Sequence, residues 1–326
     1  MSEGKKDRAL AFRPDGSFRI LMISDIHAGK GYRAEDTIRA LDALVEDTDP
    51  DLVFMAGDIC GPGVIHVETP QEVREVLDGL SSPMEKRGIW WAHVFGNHDD
   101  NYGVAKEVQE KIYESYPHCL SEAGPEDVPG VGNYILPIRD EKGERILWNL
   151  FALDSHDGID GFRSLCGLRE EQPFLARNNQ WGDPIYFEQI VWYWETSKKL
   201  EREEGRKVPS LMFMHIPLPE HDLVTEHKDQ SRFTGHQMED VCCAPVNAGL
   251  FAACLERGDV KGIYTGHDHL NDFDAEYLGV RLGYDGFLSY HACHNQEIRG
   301  GRLFELRSDD LSAFRTRMVR VRDVLK

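Results

Sequence analysis

The chain has no apolar run near the roughly 18 residues that a membrane-spanning helix requires. Its amino end, Met1 to Gly16, carries Lys5, Lys6 and Arg8 but no apolar stretch of the kind a secretion signal needs. A cytoplasmic protein is the expectation. Thiol chemistry is also poorly supplied. The seven cysteines (60, 119, 166, 242, 243, 254 and 293) are odd in number and include no Cys-x-x-Cys pair, so neither a disulfide framework nor a thiolate zinc site is indicated. Basic residues are scarce: 37 Lys and Arg against 57 Asp and Glu leave a net charge of -20. Such a chain is a poor match for long nucleic acid or an anionic membrane, because both are bound by clustered cations. No internal repeat or low-complexity tract interrupts it.

What is present is a globular composition, 41% apolar and 29% charged, over 326 residues. That length suggests about two domains. Short apolar runs at Ile20–Ile23, Leu52–Ala56, Ile89–Phe95, Leu211–Met214 and Gly262–Thr265 read as strands buried on both faces. Helical spacing falls between them: Ile38, Leu41, Leu44 and Val45; Val73, Val76, Leu77 and Leu80 after Pro70; Val104, Val108 and Ile112; and Val246, Leu250, Phe251 and Cys254. A further helix is expected from about Ile185 to Glu203, stopping at Gly205. Near the amino end, Pro14-Asp15-Gly16-Ser17 reads as a turn between antiparallel strands, and the segments after residue 275 read as a strand meander. The fold class expected is α/β, two central sheets with helices outside.

Each of the five apolar runs is followed at once by side chains able to bind a metal. These are Asp25 and His27, Asp58, Asn97 with His98 and Asp99, His215, and His267 with His269. Taken singly, such residues are usual in turns; five strand ends finishing alike point to one rim, where α/β sheets hold ligands. Glycines 57, 96 and 266 precede the donors and permit sharp turns. Asp, Asn and His without thiolate suit divalent Mn, Fe, Ni or Zn, and the number of donors suits two ions sharing a carboxylate. Asp58, alone on a central strand, is the natural bridge.

Asp25-x-His27, Gly57-Asp58, Gly96-Asn97-His98-Asp99, His215 and Gly266-His267-x-His269 occur in the order that resembles the calcineurin-like metallophosphoesterases. His215-Ile216-Pro217-Leu218-Pro219-Glu220, Arg257-Gly258-Asp259-Val260-Lys261 and Gly266-His267-Asp268-His269-Leu270-Asn271-Asp272 resemble a narrower branch, the purple-acid-phosphatase-like proteins of plants and fungi. The resemblance implies a four-layer α/β/β/α sandwich. It implies Asp25, His27, Asp58 and His269 on one metal, with Asp58, Asn97, His215 and His267 on the second. It also places Asn97 and His98 against the substrate and makes His98 the catalytic acid, with Asp99 beside it in the catalytic set as its orienter. Where purple acid phosphatases carry a chromophore tyrosine, three residues after the bridging Asp, this chain has Gly61, so a colourless protein is expected.

The activity implied is hydrolysis of a small phosphomonoester by a metal-activated hydroxide. The alternatives are a phosphodiesterase acting on cyclic nucleotides or nucleotide diesters, and a metal-binding scaffold without catalysis. Because the first ligand and the last stand at residues 25 and 269, one domain replaces the two suggested by length. Residues 117–184, rich in proline, read as a loop-rich insertion over the site, with His156, Arg163, Arg169, Arg177, His221 and Lys228 as candidate phosphate contacts. His66 and His93 read as structural, and Cys242-Cys243 as buried near a helix start.

Overall fold

A computed structural model describes residues 10–29, 34–61, 67–101, 103–169 and 180–325. His66 and Arg177 lie outside the described residues. Eleven strands and eight helices follow one another among those described. In chain order they are β1 (Ser17–Ile23), α1 (Ala34–Thr48), β2 (Leu52–Ala56), α2 (Pro70–Glu85), β3 (Trp90–Val94), α3 (Lys106–Tyr113), β4 (Tyr134–Arg139) and β5 (Ile146–Ala152). Next come α4 (Asp160–Leu165), α5 (Phe187–Glu204), β6 (Ser210–Phe213), α6 (Pro219–Glu226), α7 (Leu250–Arg257) and β7 (Val260–Thr265). The chain closes with β8 (Asp274–Tyr277), β9 (Val280–Tyr284), β10 (Gly300–Arg307), β11 (Arg315–Arg320) and α8 (Val321–Val324).

Two mixed sheets result, one ordered β11-β10-β1-β2-β3 and the other β4-β5-β6-β7-β9-β8. Pleating sends alternate residues of each central strand to opposite faces, which is why these strands are apolar throughout. In β1, Leu21 and Ile23 meet the helices, packing with Leu41 and Leu44 of α1 and Val73 and Leu77 of α2. Ile20 and Met22 face the second sheet, packing with Phe54, Leu150, Leu211 and Phe213. The second sheet does likewise, turning Met212 and Met214 toward Tyr193 of α5 and Phe251 of α7. Helices, sheet, sheet and helices therefore form four layers. At the start of α2, Thr69 accepts from the Glu72 amide while the Glu72 carboxylate accepts from the Thr69 amide, and Pro70 opens the first turn. No described helix is long and apolar enough to cross a membrane.

Four local expectations need correction. Residues 10–12 do not form a hairpin with β1; the turn after Arg13 exists, but Ala11 bridges Arg139 of the second sheet, so the chain crosses between sheets there. The segments after 275 are not one meander. The β8-β9 hairpin extends the second sheet and the β10-β11 hairpin the first, because the apolar surface to be covered lies on both. Val108 of α3 is exposed, and the buried side of that helix is instead Gln109, Glu110, Ile112 and Tyr113 with Lys106. Residues 117–184 are not loop-rich throughout, since β4 and β5 form the edge of the second sheet within them.

Candidate metal centre

Parallel strands β1, β2 and β3 end on one side of the first sheet, and β6 and β7 end beside them from the second. The turns that follow are tied together by backbone. The Asp25 amide donates to the Gly57 carbonyl at 3.1 Å, and the His27 amide to the Asp58 carbonyl at 2.8 Å. Asp25, His27, Asp58 and His267 all have positive φ, at 49°, 45°, 50° and 76°. Non-glycine residues rarely adopt that region, and each such position costs about 1–3 kcal/mol that the surrounding packing must offset. Of the three glycines, Gly57 alone has a positive φ, 89°. All three are needed for space: a Cβ at Gly57 would meet the His215 ring, one at Gly96 the Asp58 carboxylate, and one at Gly266 Ser24 and Asp25.

The donors converge. Asp58 Oδ2 is 3.3 Å from His215 Nε2 and 3.7 Å from His27 Nε2, while its Oδ1 accepts from the His98 amide at 2.9 Å. Asp25 Oδ1 is 3.1 Å from His269 Nε2 and 3.9 Å from His27 Nε2. Asn97 Oδ1 is 3.1 Å from His215 Nε2, and the His267 ring stands 5.2 Å from that of His215. Asp25, Asp58, Asn97, His27 and His215 are buried, and His267 is half-buried. One group of ligand atoms comprises Asp25, His27 and His269 and another Asp25, Asp58 and His215; Asp58 Oδ2, between His27 and His215, is placed to serve both sides.

These residues fit a cation. His27 Nδ1 donates to the Gly61 carbonyl at 2.7 Å and His215 Nδ1 to the Ala56 carbonyl at 2.8 Å, which turns each Nε2 into the centre. His27 Nε2 then faces His269 Nε2 at 3.1 Å, two nitrogens that cannot both offer lone pairs there without a positive charge between them. Asp25 Oδ1 is buried and has no hydrogen bond despite the nearby imidazole. Burial lowers His27, and burial together with His215 brings His267 down to about 3, so both rings are neutral and able to ligate. Burial would lower His215 too, but the charge and hydrogen bond of Asp58 raise it to about 10. Burial would raise Asp25, but His269 outweighs it and holds the carboxylate at about 2. A proton on His215 or His269 occupies the place a cation would take.

Residues 18–271 match the family model for calcineurin-like phosphoesterases. The chain belongs to this family. A relative in Arabidopsis thaliana, "Probable inactive purple acid phosphatase 14", is 32% identical over 317 residues, covering 87% of this chain and 73% of the relative. "Phosphatase DCR2" of Saccharomyces cerevisiae is 28% identical, covering 79% of this chain and 45% of its own length. Among solved structures, a dimetal phosphatase from Danio rerio has a TM-score of 0.54 at 13% identity, over 92% of this chain and 98% of that one. The four-layer α/β fold is shared with it.

Not every expected site residue keeps its expected place in this phosphoesterase fold. His98 lies at the rim, its ring 5.9 Å from that of His27. Asp99 does not orient it. That carboxylate is buried beneath the turn, where it accepts from the amides of Ile59, Cys60 and Gly96, and burial with the nearby Asp58 charge pushes it up to about 6. Asp99 thus locks the β2 and β3 turns to each other and leaves the catalytic set. The residue that holds His98 is Asn101, which accepts from His98 Nδ1 at 2.7 Å while its amide donates to the Asn97 carbonyl at 2.9 Å. A second asparagine four residues beyond Asn97 was the available signal. Gly61, where relatives with the chromophore have tyrosine, instead supplies the carbonyl that orients His27.

The candidate phosphate contacts divide. His221 is fully buried, accepts from the Leu218 amide and is pushed down to about 4 by burial, so it is removed from the site. His156 stacks on Tyr186 and pairs with Gln189, and Lys228 lies over the Phe233 ring. Arg163 stands beside Asp160 and reaches the Arg169 carbonyl. His93 is buried against Glu110 and Tyr113, as a structural residue would be. Cys242 and Cys243 are both buried, but the next helix starts only at Leu250, and Cys242 stands instead with His267 and Asp268.

Proposed function

We propose that this chain is a metal-dependent phosphoesterase that holds two divalent cations and hydrolyses small phosphomonoesters. The observation that carries this reading is the convergence of Asp25, His27, His269, Asp58, Asn97 and His215 with no Lys or Arg among them, so that a proton on His215 or His269 stands where a cation would bind. His267 joins through its contact with the His215 ring. Asp25, His27, Asp58 and His269 would hold one ion, and Asp58, Asn97, His215 and His267 the other. When bound, the two ions would supply Lewis acidity to the phosphoryl oxygens and lower the pKa of an attacking water from 15.7 toward about 7.

The remaining roles fall to the chain. With Nδ1–H directed at Asn101, His98 presents Nε2 to the rim, and an imidazolium there can donate to a phosphoryl oxygen and then pass its proton to the departing alkoxide. The amide of His98 on Asp58 Oδ1 ties the loop carrying Asn97 and His98 to the carboxylate that would serve both ions. The partner is a small phosphorylated molecule, because a chain of net charge -20 attracts phosphate at its cation-binding rim and not over its surface.

The test is hydrolysis of p-nitrophenyl phosphate and its bis ester by protein stripped of metal and reloaded with Mn, Fe, Ni or Zn. Monoester turnover that requires metal supports the reading. Preference for the bis ester would make it a phosphodiesterase, and no turnover with any of these ions would leave a metal-binding scaffold, in keeping with the word "inactive" in the names of the Arabidopsis relatives. His98→Ala is expected to lower kcat by about 10²–10⁴ with metal content unchanged.

A further inference from the structure

Behind the centre, on the side away from solvent, a second carboxyl group stands where the proposed function gives it no role. Asp285 follows β9, is fully buried, and places Oδ1 2.7 Å from the hydroxyl of Ser24. The same hydroxyl donates to Asp25 Oδ2, and the Gly286 carbonyl lies 3.4 Å from it. Asp25 Oδ2 also accepts from the His267 amide at 2.9 Å, which leaves Oδ1 as the oxygen turned toward His27 and His269. Gly266 makes the arrangement possible, since any Cβ there would collide with Ser24 and Asp25.

Hydrogen counting decides the direction of the chain. A serine hydroxyl has one proton to donate. Asp25, flanked by imidazoles and an amide, accepts it as a carboxylate. The 2.7 Å approach of Asp285 Oδ1 to Ser24 Oγ then requires a proton of its own, and the only source is the Asp285 carboxyl. Its other oxygen, Oδ2, is buried with no hydrogen bond and, unlike Asp25 Oδ1 beside His269, has no ion-pair partner among the described residues, which a neutral acid tolerates and a carboxylate does not. We propose that Asp285 is a positioning residue for the metal centre: as a buried carboxylic acid it donates to Ser24, whose hydroxyl in turn fixes Asp25 with Oδ1 directed at the metals. This rests on the proposed metal centre.

The experiment compares Mn²⁺ affinity of the full chain by calorimetry for the wild type, Asp285→Asn, Asp285→Ala and Ser24→Ala. It is paired with the infrared difference spectrum of metal-free wild type minus Asp285→Asn at neutral pH. Asparagine keeps a donor to Ser24, so it is expected to bind like the wild type, while Asp285→Ala and Ser24→Ala lose about 10–100-fold in affinity. The difference spectrum is expected to carry a carboxylic-acid C=O band. Wild-type affinity in Asp285→Ala, or in Ser24→Ala should Asp285→Ala not fold, overturns the proposal. So does an asparagine variant as weak as alanine, or a missing acid band. A wild type that binds no Mn²⁺ sinks the metal centre itself, and the infrared band still reports separately on the protonated Asp285.

Discussion

Two buried carboxylates of this molecule make a useful pair, Asp25 at the end of β1 and Asp154 just beyond the end of β5. Asp154 is complete: Oδ2 accepts from the Val131 amide, Oδ1 from the His156 amide, and the Lys106 ammonium lies 3.5 Å away, itself buried and shared with Asp157. Asp25 keeps Oδ1 outside any fixed hydrogen bond, 3.1 Å from His269 Nε2 and 3.9 Å from His27 Nε2, with no Lys or Arg paired to it among the described residues. Both sit in the rim region of one fold. The difference teaches that burial of charge is not the mark of a site. A cluster with a permanent Lys cation holds structure, whereas one whose positive charge is only a proton on an imidazole can exchange it for a cation from outside.

The comparison can be broken most forcefully at Lys106. Lys106→Met leaves Asp154 buried and unpaired, and should cost about 3–5 kcal/mol of stability by urea unfolding with metal stoichiometry unchanged. Burial raises Asp154, yet Lys106 and His156 outweigh it and its pKa lies below the ordinary 3.8. The wild-type pair should therefore contribute fully above about pH 4 and fade as pH falls through the lower folded value. Asp58→Asn is the counterpart at the centre. It should lower Mn²⁺ affinity by at least ~100-fold by calorimetry, because the oxygen between His27 and His215 becomes a weaker donor.

Chelation sharpens the contrast without a mutation. Adding metal at about 100 times its dissociation constant should stabilise the wild type by about 2.7 kcal/mol, and a chelator should remove that gain. The Lys106→Met variant should show the same increment on its lower baseline, since its defect lies elsewhere. The smallest effect is expected at Asn101. Asn101→Ala should lower kcat by about 10-fold, or ~1.4 kcal/mol, through a misoriented His98, with KM and metal content little changed. An unchanged kcat would remove Asn101 from the positioning of His98.

Much of the centre was legible from the strand ends. Asp25, Asp58, Asn97, His215 and His267 each follow an apolar run directly, and β-strand geometry delivers such residues to one edge whatever the rest of the fold does. Helix α5 was legible as well, since Gly205 stops it in the left-handed conformation at φ 69°. Asp99 shows where that reading fails. Its place beside His98 in the chain suggested a partner in chemistry, but a turn sends neighbouring side chains in different directions, and it points down into the backbone of Ile59, Cys60 and Gly96.

The sequence by itself determined that donors of nitrogen and oxygen stand at five strand ends of a chain in which acidic residues outnumber basic ones. Only the tertiary structure decided how each donor is aimed. His27 is turned by Gly61, His215 by Ala56, and Asp25 by Ser24 and Asp285, the last pair 261 positions apart. Such contacts leave no local pattern. They exist because close packing of the two sheets brings distant turns within hydrogen-bonding distance, and buried polar groups must find partners where that packing puts them.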